Sequence, residues 1–551
     1  MNWLKRQLLI GSCLLFGATL GISQTPKISP DLLSLLSNAL TPVDVVIQYN
    51  STPGLLDITR VLSQGGKITA QYTLIPAVAA KLLPAAVSLL AADPSVAYIS
   101  LDRQVVGAVD YGTAAVNGDV AFHSGLTGTG VGIAIIDSGI YGHPDVASRI
   151  VYRASFIGKT NDDDYGHGTH VAGIAAGSGL SSSGPKFTRT FRGVAPGANL
   201  IDLRVLDANG MSNDSVIVSA LEQAVKLKAR YNIKVINLSV GRPILESANL
   251  DPLCKAVAAA WQQGIVVVVA AGNLGRNGYA TITSPGNSPY VITVGAMKTL
   301  NTYPRSDDQI ASYSSKGPTF IDLGVKPDIV APGNLVSSLL APGSKLLQTF
   351  PGNAIQASEY TTAGSFAPPI YMRLSGTSMA APMVSGAAAI LLGREPGLSP
   401  DTVKARLMKT ASKAFPLTSI ATDPTTGKVY PSVYDLFTVG AGYLDIAAAL
   451  NSHDSANGYA LSPTVVWDSR LGTALLQKPL ASIWDNGIWG LSSVWGAQVI
   501  QPVSSGSSVA WGTSAAWGSS AAWGTSAAWG TSAAWGTSAA WGTSTNGNGE
   551  K

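Results

Sequence analysis

With 551 residues, 46% of them apolar and only 12% charged, the chain has material for a large core and length for more than one structural unit. Its net charge of +4 is not gathered into a dense basic tract, which excludes a nucleic-acid-binding chain as the first reading. Two cysteines, Cys13 and Cys254, provide no disulfide framework.

Residues 1–23 place Lys5 and Arg6 before an apolar run from Leu8 to Leu20 and end on small residues. That is the layout of a secretory signal peptide, too short and wrongly flanked for a membrane span. Export would leave Cys254 as a lone, buried thiol in an apolar helical pattern. Residues 42–106 then form a unit of their own. Strand-like Val43 to Tyr49, helical Leu55 to Leu62, strand-like Lys67 to Tyr72, helical Val78 to Leu90 and strand-like Val96 to Asp102 predict a small ferredoxin-like α+β module.

From Val131 the pattern changes to apolar runs without alternation: Val131 to Ile136, Leu200 to Leu206, Val235 to Leu238, Ile265 to Ala271 and Tyr290 to Val294. Between them lie helical stretches at His167 to Ala176, Asp214 to Tyr231 and Pro252 to Gln263. Strands buried on both faces and alternating with helices predict an α/β fold with a doubly wound parallel sheet, whose functional groups collect at the carboxyl ends of strands.

Four polar positions stand where such ends fall. Asp137 closes the first run, and a carboxylate there must be paired or hydrogen-bonded; a cap or loop brace is the simpler alternative. His167 opens a small-residue helix in Gly166-His167-Gly168-Thr169-His170. Its spacing to His170 is not that of a metalloprotease pair, and a base working near neutral pH is the better use. Asn273 ends the fourth run in a Gly-Asn turn and carries a fixed N–H donor. Ser375-Gly376-Thr377-Ser378-Met379-Ala380-Ala381-Pro382 places a hydroxyl at the start of a helix apolar on every face. There it is either a cap or a nucleophile beside free backbone N–H groups.

Together, Asp137, Gly166 to Gly173, Ala270 to Asn273 and Gly376 to Pro382 resemble the signature of the subtilisin-like serine proteases, the subtilase family, over about residues 111–451. The resemblance implies a subtilisin-like catalytic domain acting on protein or peptide substrates. In it Ser378 is the nucleophile, His167 the general base, Asp137 its orienting carboxylate and Asn273 an oxyanion donor. It makes Ser239, Val240 and Gly241 one wall of the substrate site and Ala270, Ala271 and Gly272 the other, implying broad specificity with an apolar side chain preferred before the scissile bond. It makes residues 42–106 a propeptide that inhibits the enzyme and is cut away between about Asp102 and Asp110. A secreted monomer needing no cofactor for its chemistry is expected. Asp145 matches a calcium position of relatives, but the companion loop Ser178 to Pro185 offers only neutral oxygens. Asn161 to Asp164 either binds calcium or forms a solvated acidic turn, and the turn is expected. The segment from about Leu335 to Tyr371 is read as an inserted loop near the nucleophile.

Residues 452–508 are a linker whose structure the sequence leaves open, and residues 509–551 hold repeats of Ala-Ala-Trp-Gly-Thr-Ser with Trp511, Trp517, Trp523, Trp529, Trp535 and Trp541. Disorder or partial order ranks ahead of a stacked strand array or an aromatic binding surface for this tail. The alternative to an enzyme is a surface interaction protein that keeps a subtilase-like scaffold and works through its Trp-rich tail.

Overall fold

Apolar runs that cannot turn either face to water organise the larger of two units into which the chain divides, Met1–Val106 and Gly107–Lys551. The computed structural model describes residues 27–36, 41–72, 75–101, 108–109, 111–158, 162–362, 367–423, 427–468, 473–480, 482–484, 487–496 and 550. The expected signal peptide, most of the stretch where cleavage of the N-terminal unit is expected, Asn161 and the Trp repeats fall outside them.

The smaller unit contains β1 (Val43–Tyr49), α1 (Leu55–Ser63), β2 (Lys67–Gln71), β3 (Ala77–Leu82), α2 (Pro84–Ala91) and β4 (Val96–Leu101). The strands pair antiparallel in the order β2-β3-β1-β4, the split βαβ arrangement of a ferredoxin-like module. The helix expected over Val78 to Leu90 is shorter than that. Ala77, Val78, Ala79 and Ala80 are buried strand residues paired with β1, and the helix begins only at Pro84, whose fixed φ suits a first turn.

In the larger unit the main elements are β5 (Gly132–Asp137), β6 (Ile150–Ser155), α3 (His167–Ala176), β7 (Asn199–Arg204), α4 (Asp214–Tyr231), β8 (Ile233–Leu238), α5 (Pro252–Gln262), β9 (Val266–Ala270), β10 (Ile292–Lys298), β11 (Gln309–Ile310) and β12 (Ile329–Pro332). Their sheet runs β11-β10-β9-β8-β5-β7-β6, with β12 also paired to β10; all pairs are parallel except β10 with β11. The register sets Ile136 level with Leu238 and Leu238 level with Val269. Asp137, Ser239 and Ala270 therefore emerge side by side from three adjacent strands.

The stretch expected to be an inserted loop is folded. β13 (Val336–Leu339) pairs antiparallel with β14 (Tyr371–Leu374), which leads directly into α6 (Thr377–Arg394). Residues Thr377 to Leu392 of α6 are all buried, so the helix crosses the core and its first turn is held from every side.

The region after Asn451 also gains structure. Trp484, Trp489 and Trp495, the last on α8 (Leu491–Trp495), pack with Ala405 and Met408 of α7 (Pro400–Thr410) in a satellite core. Trp484 and Trp495 meet edge to face at 5.0 Å, and Trp489 Nε1 donates to the Ser455 carbonyl at 3.3 Å. Among the described residues, no helix is long and apolar enough to cross a membrane.

Candidate active site

Asp137 and His167 meet at the end of β5. The carboxylate Oδ1 lies 2.8 Å from His167 Nδ1, both side chains fully buried, and accepts from the Ser138 amide at 2.7 Å. Gly168 makes the approach of α3 to the strand end possible, because a Cβ there would stand 2.2 Å from the Gly139 carbonyl. Burial alone would lower the His167 pKa, but the Asp137 charge and hydrogen bond, with Asp163 behind them, hold it above the ordinary value. Nε2, the other ring nitrogen, has no hydrogen-bond partner among the described residues.

Ser378 is the second residue of α6, over the end of β8. Its Oγ donates to the Ser239 carbonyl at 3.3 Å. Four residues on, Pro382 lies inside the helix and cannot donate to the Ser378 carbonyl. Ser239 replaces that bond: its hydroxyl donates to the Ser378 carbonyl at 2.9 Å and accepts from Asn237 Nδ2 at 2.9 Å. A proline in the helix and a serine at a strand end thus act together at the Ser378 carbonyl, the serine donating where the proline cannot.

Asn273 is oriented through its oxygen. Oδ1 accepts from the Thr377 amide at 2.8 Å and the Thr377 hydroxyl at 3.0 Å, which makes Nδ2 the donor end on the other side. Thr377 Oγ1 in turn accepts from the Gly272 amide at 3.1 Å. Thr283 and Ser284 lie between the two expected substrate walls, bonding Ala271 on one side and Arg242 on the other. Ser239, Val240, Ala270 and Ala271 are buried. Just beyond Gly241 and Asn273 opens a cavity of about 130 Å³ lined by Pro243, Ile244, Leu245, Leu274, Ala280 to Thr283 and Phe320. Sequence reasoning missed these lining residues, since they come from loops without a motif.

Asp163 is the second omission. The acidic turn expected to be solvated turns this carboxylate inward, 4% exposed. Its Oδ1 accepts from Ser138 Oγ and the Gly166 amide, each at 2.7 Å, and Oδ2 from the Thr169 amide at 2.8 Å and hydroxyl at 2.6 Å. It therefore ties the strand end carrying Asp137 to the free N–H groups of α3. An Asp four residues before a helix-opening His was the available signal. Asp164 instead pairs with Arg204 at 2.7 Å.

His170 is buried with Nε2 3.1 Å from the carbonyls of Val336 and Met372, and burial brings its pKa down to about 3. Asp145 accepts from the Ser181 amide at 2.8 Å and the Tyr371 hydroxyl at 2.7 Å, with Ser178 Oγ at 3.4 Å. The Ser181 amide and the Tyr371 hydroxyl thus act as hydrogen-bond donors to the Asp145 carboxylate. Among the described residues no group of three or more His, Cys, Asp or Glu side chains could hold a metal ion.

The pattern of the Subtilase family matches residues 128–440, which span every residue of this site. The chain belongs to the subtilase family. It is 39% identical over 361 residues to Serine protease AprX of Bacillus subtilis (strain 168), covering 63% of this chain and 76% of that protein. It is 35% identical over 360 residues to Subtilisin NAT of Bacillus subtilis subsp. natto, covering 64% and 80%. Alkaline protease of Alkalihalobacillus alcalophilus is 34% identical over 347 residues, covering 62% and 76%. This subtilase is a serine protease with proteins as its substrate class, and subtilase chemistry needs no cofactor.

Proposed function

We propose that this subtilase is an exported, monomeric serine endopeptidase, made with residues 42–106 as an inhibitory propeptide. Ser378 Oγ attacks the peptide carbonyl while His167 Nε2 takes its proton, and Asp137 stabilises the imidazolium that forms. The oxyanion meets Asn273 Nδ2 and the N–H groups at the start of α6. His167 then gives its proton to the leaving amine, and water releases the acyl group by the same steps in reverse order. Asp145 serves as a hydrogen-bonded brace in this reading. The apolar cavity beyond Gly241 and Asn273 receives the side chain before the scissile bond and favours apolar residues there.

The observation that carries the reading is the buried Asp137–His167 contact of 2.8 Å, beside a serine at the start of a core helix. A base and its orienting carboxylate withdrawn from water have no use in a scaffold. A fluorophosphonate probe tests the reading: the wild-type chain should be labelled on Ser378 and lose its N-terminal unit, while Ser378→Ala should do neither. Equal labelling and processing of both forms would sink it.

A further inference from the structure

Outside the active site, one acidic residue is received in a built pocket by partners distant from it in the chain. The side chain of Glu550, beyond the last Trp repeat, is 1% exposed. Its Oε1 accepts from Arg276 Nη2 at 2.9 Å and from the Ser312 hydroxyl, and its Oε2 from the Ser312 amide at 3.0 Å. Lys298 Nζ stands 3.6 Å from Oε2 with its side chain 2% exposed, and among the described residues Glu550 is the one acid within ion-pair distance of it. Arg276 shares its charge with Asp423 at 2.6 Å. Asn334 grips the main chain of Glu550, donating to its carbonyl at 2.8 Å and accepting from its amide at 2.9 Å. A buried ammonium without a counter-charge is expensive, so this pocket is incomplete until a carboxylate enters it.

The other flank of the repeats is fastened too. Trp484, Trp489 and Trp495 are buried against α7, and Gly496 packs on Lys413. Residues 497–549, which include all six repeat tryptophans, lie between these anchors.

We propose that Arg276, Lys298, Ser312 and Asn334 form a receptor for the Glu550 side chain, which fastens position 550, beyond the last Trp repeat, to the protease unit. The receptor adjoins the catalytic segments. Arg276 follows Asn273 by three residues, and Asn334 follows Gly333, whose carbonyl accepts from the Gly376 amide at 2.8 Å. The latch therefore bears on the segment that seats Ser378.

Hydrogen exchange of residues 309–315 in full-length Ser378→Ala protein tests this without any dependence on catalysis. The Ser312 amide should exchange at least about tenfold faster after Glu550→Ala. A tether makes the effective concentration of Glu550 millimolar, so millimolar Asn-Gly-Asn-Gly-Glu-Lys added to the Glu550→Ala chain should restore protection, and the same peptide with Gln for Glu should not. Exchange that is the same with and without Glu550, or restoration by both peptides alike, would overturn the proposal.

Discussion

Replacing Asp137 by Asn separates what the carboxylate does by charge from what it does by shape. At an effective dielectric of about 20, unit charges 2.8 Å apart attract by about 6 kcal/mol, and the imidazolium needing that attraction forms only as Ser378 is deprotonated. At 1.36 kcal/mol per decade, the loss is worth about four decades of kcat, the scale seen when a triad carboxylate is neutralised. The pH profile supplies a second reading. His167 must be neutral to act, and its pKa is held above 6.5, so kcat/KM of the parent should rise with pH through a limb above that value. In Asp137→Asn, burial remains while the main opposing charge is gone, and the limb should move to lower pH as the plateau falls. The assay is hydrolysis of an apolar peptide anilide between about pH 5 and pH 9. A plateau within tenfold of the parent, or a limb that stays in place or moves up, would refute the assignment of Asp137.

Asn273→Ala should lower kcat by about 10²–10³ with KM little changed, since the amide acts on charge present only in the transition state; an effect confined to KM counts against an oxyanion role. Ser239→Ala removes the hydroxyl that donates to the Ser378 carbonyl, and should cost about 1–3 kcal/mol in urea unfolding of inactive protein, whereas Ser239→Thr should retain most of it. Asp163→Asn exchanges an acceptor for an NH₂ facing donors; a loss of about 2–5 kcal/mol is expected, with kcat reduced more than KM if the α3 terminus shifts His167. Unchanged stability would mean that water or rearrangement satisfies those N–H groups. Trp484→Ala should destabilise the larger unit by about 3–5 kcal/mol, measured by thermal unfolding; a midpoint equal to the parent's would place residues 482–496 outside its cooperative core.

The parallel sheet was legible because β5 and β9 are apolar on both faces, with β8 contributing the apolar run Val235-Ile236, a pattern few other environments produce. Asp137 and His167 were legible as polar residues at expected strand and helix ends, and the structure brings them together. Ala77 to Leu82 was not, since alanine fits helix or strand and only pairing with β1 decides. Asp163 was hidden by its neighbours: a run of carboxylates predicts a solvated turn, and nothing local says that one of them caps a helix from inside. Trp489 and Trp495 lie in the stretch whose structure the sequence left open, because the surface that buries them comes from Ala405 and Met408, many residues earlier in the chain.

If Ser378 is the nucleophile, as proposed, the pairing of Pro382 with Ser239 makes the residues around it not interchangeable with other helix formers. Proline in the sixth position of α6 removes one N–H from the helix ladder, which by itself would bend or loosen the turn bearing Ser378. The Ser239 hydroxyl restores the missing donor from outside the helix, so Ser378 is held by a bond to the end of β8 and not only by its own helix. That bond and the Ser378 Oγ contact with the Ser239 carbonyl fix the serine to the same sheet edge as Asp137. An alanine at position 382 would restore the internal bond and compete with Ser239 for the carbonyl. In the proposed mechanism Ser378 would then take its position more from the helix, whereas His167 takes its own from the strand end that carries Asp137.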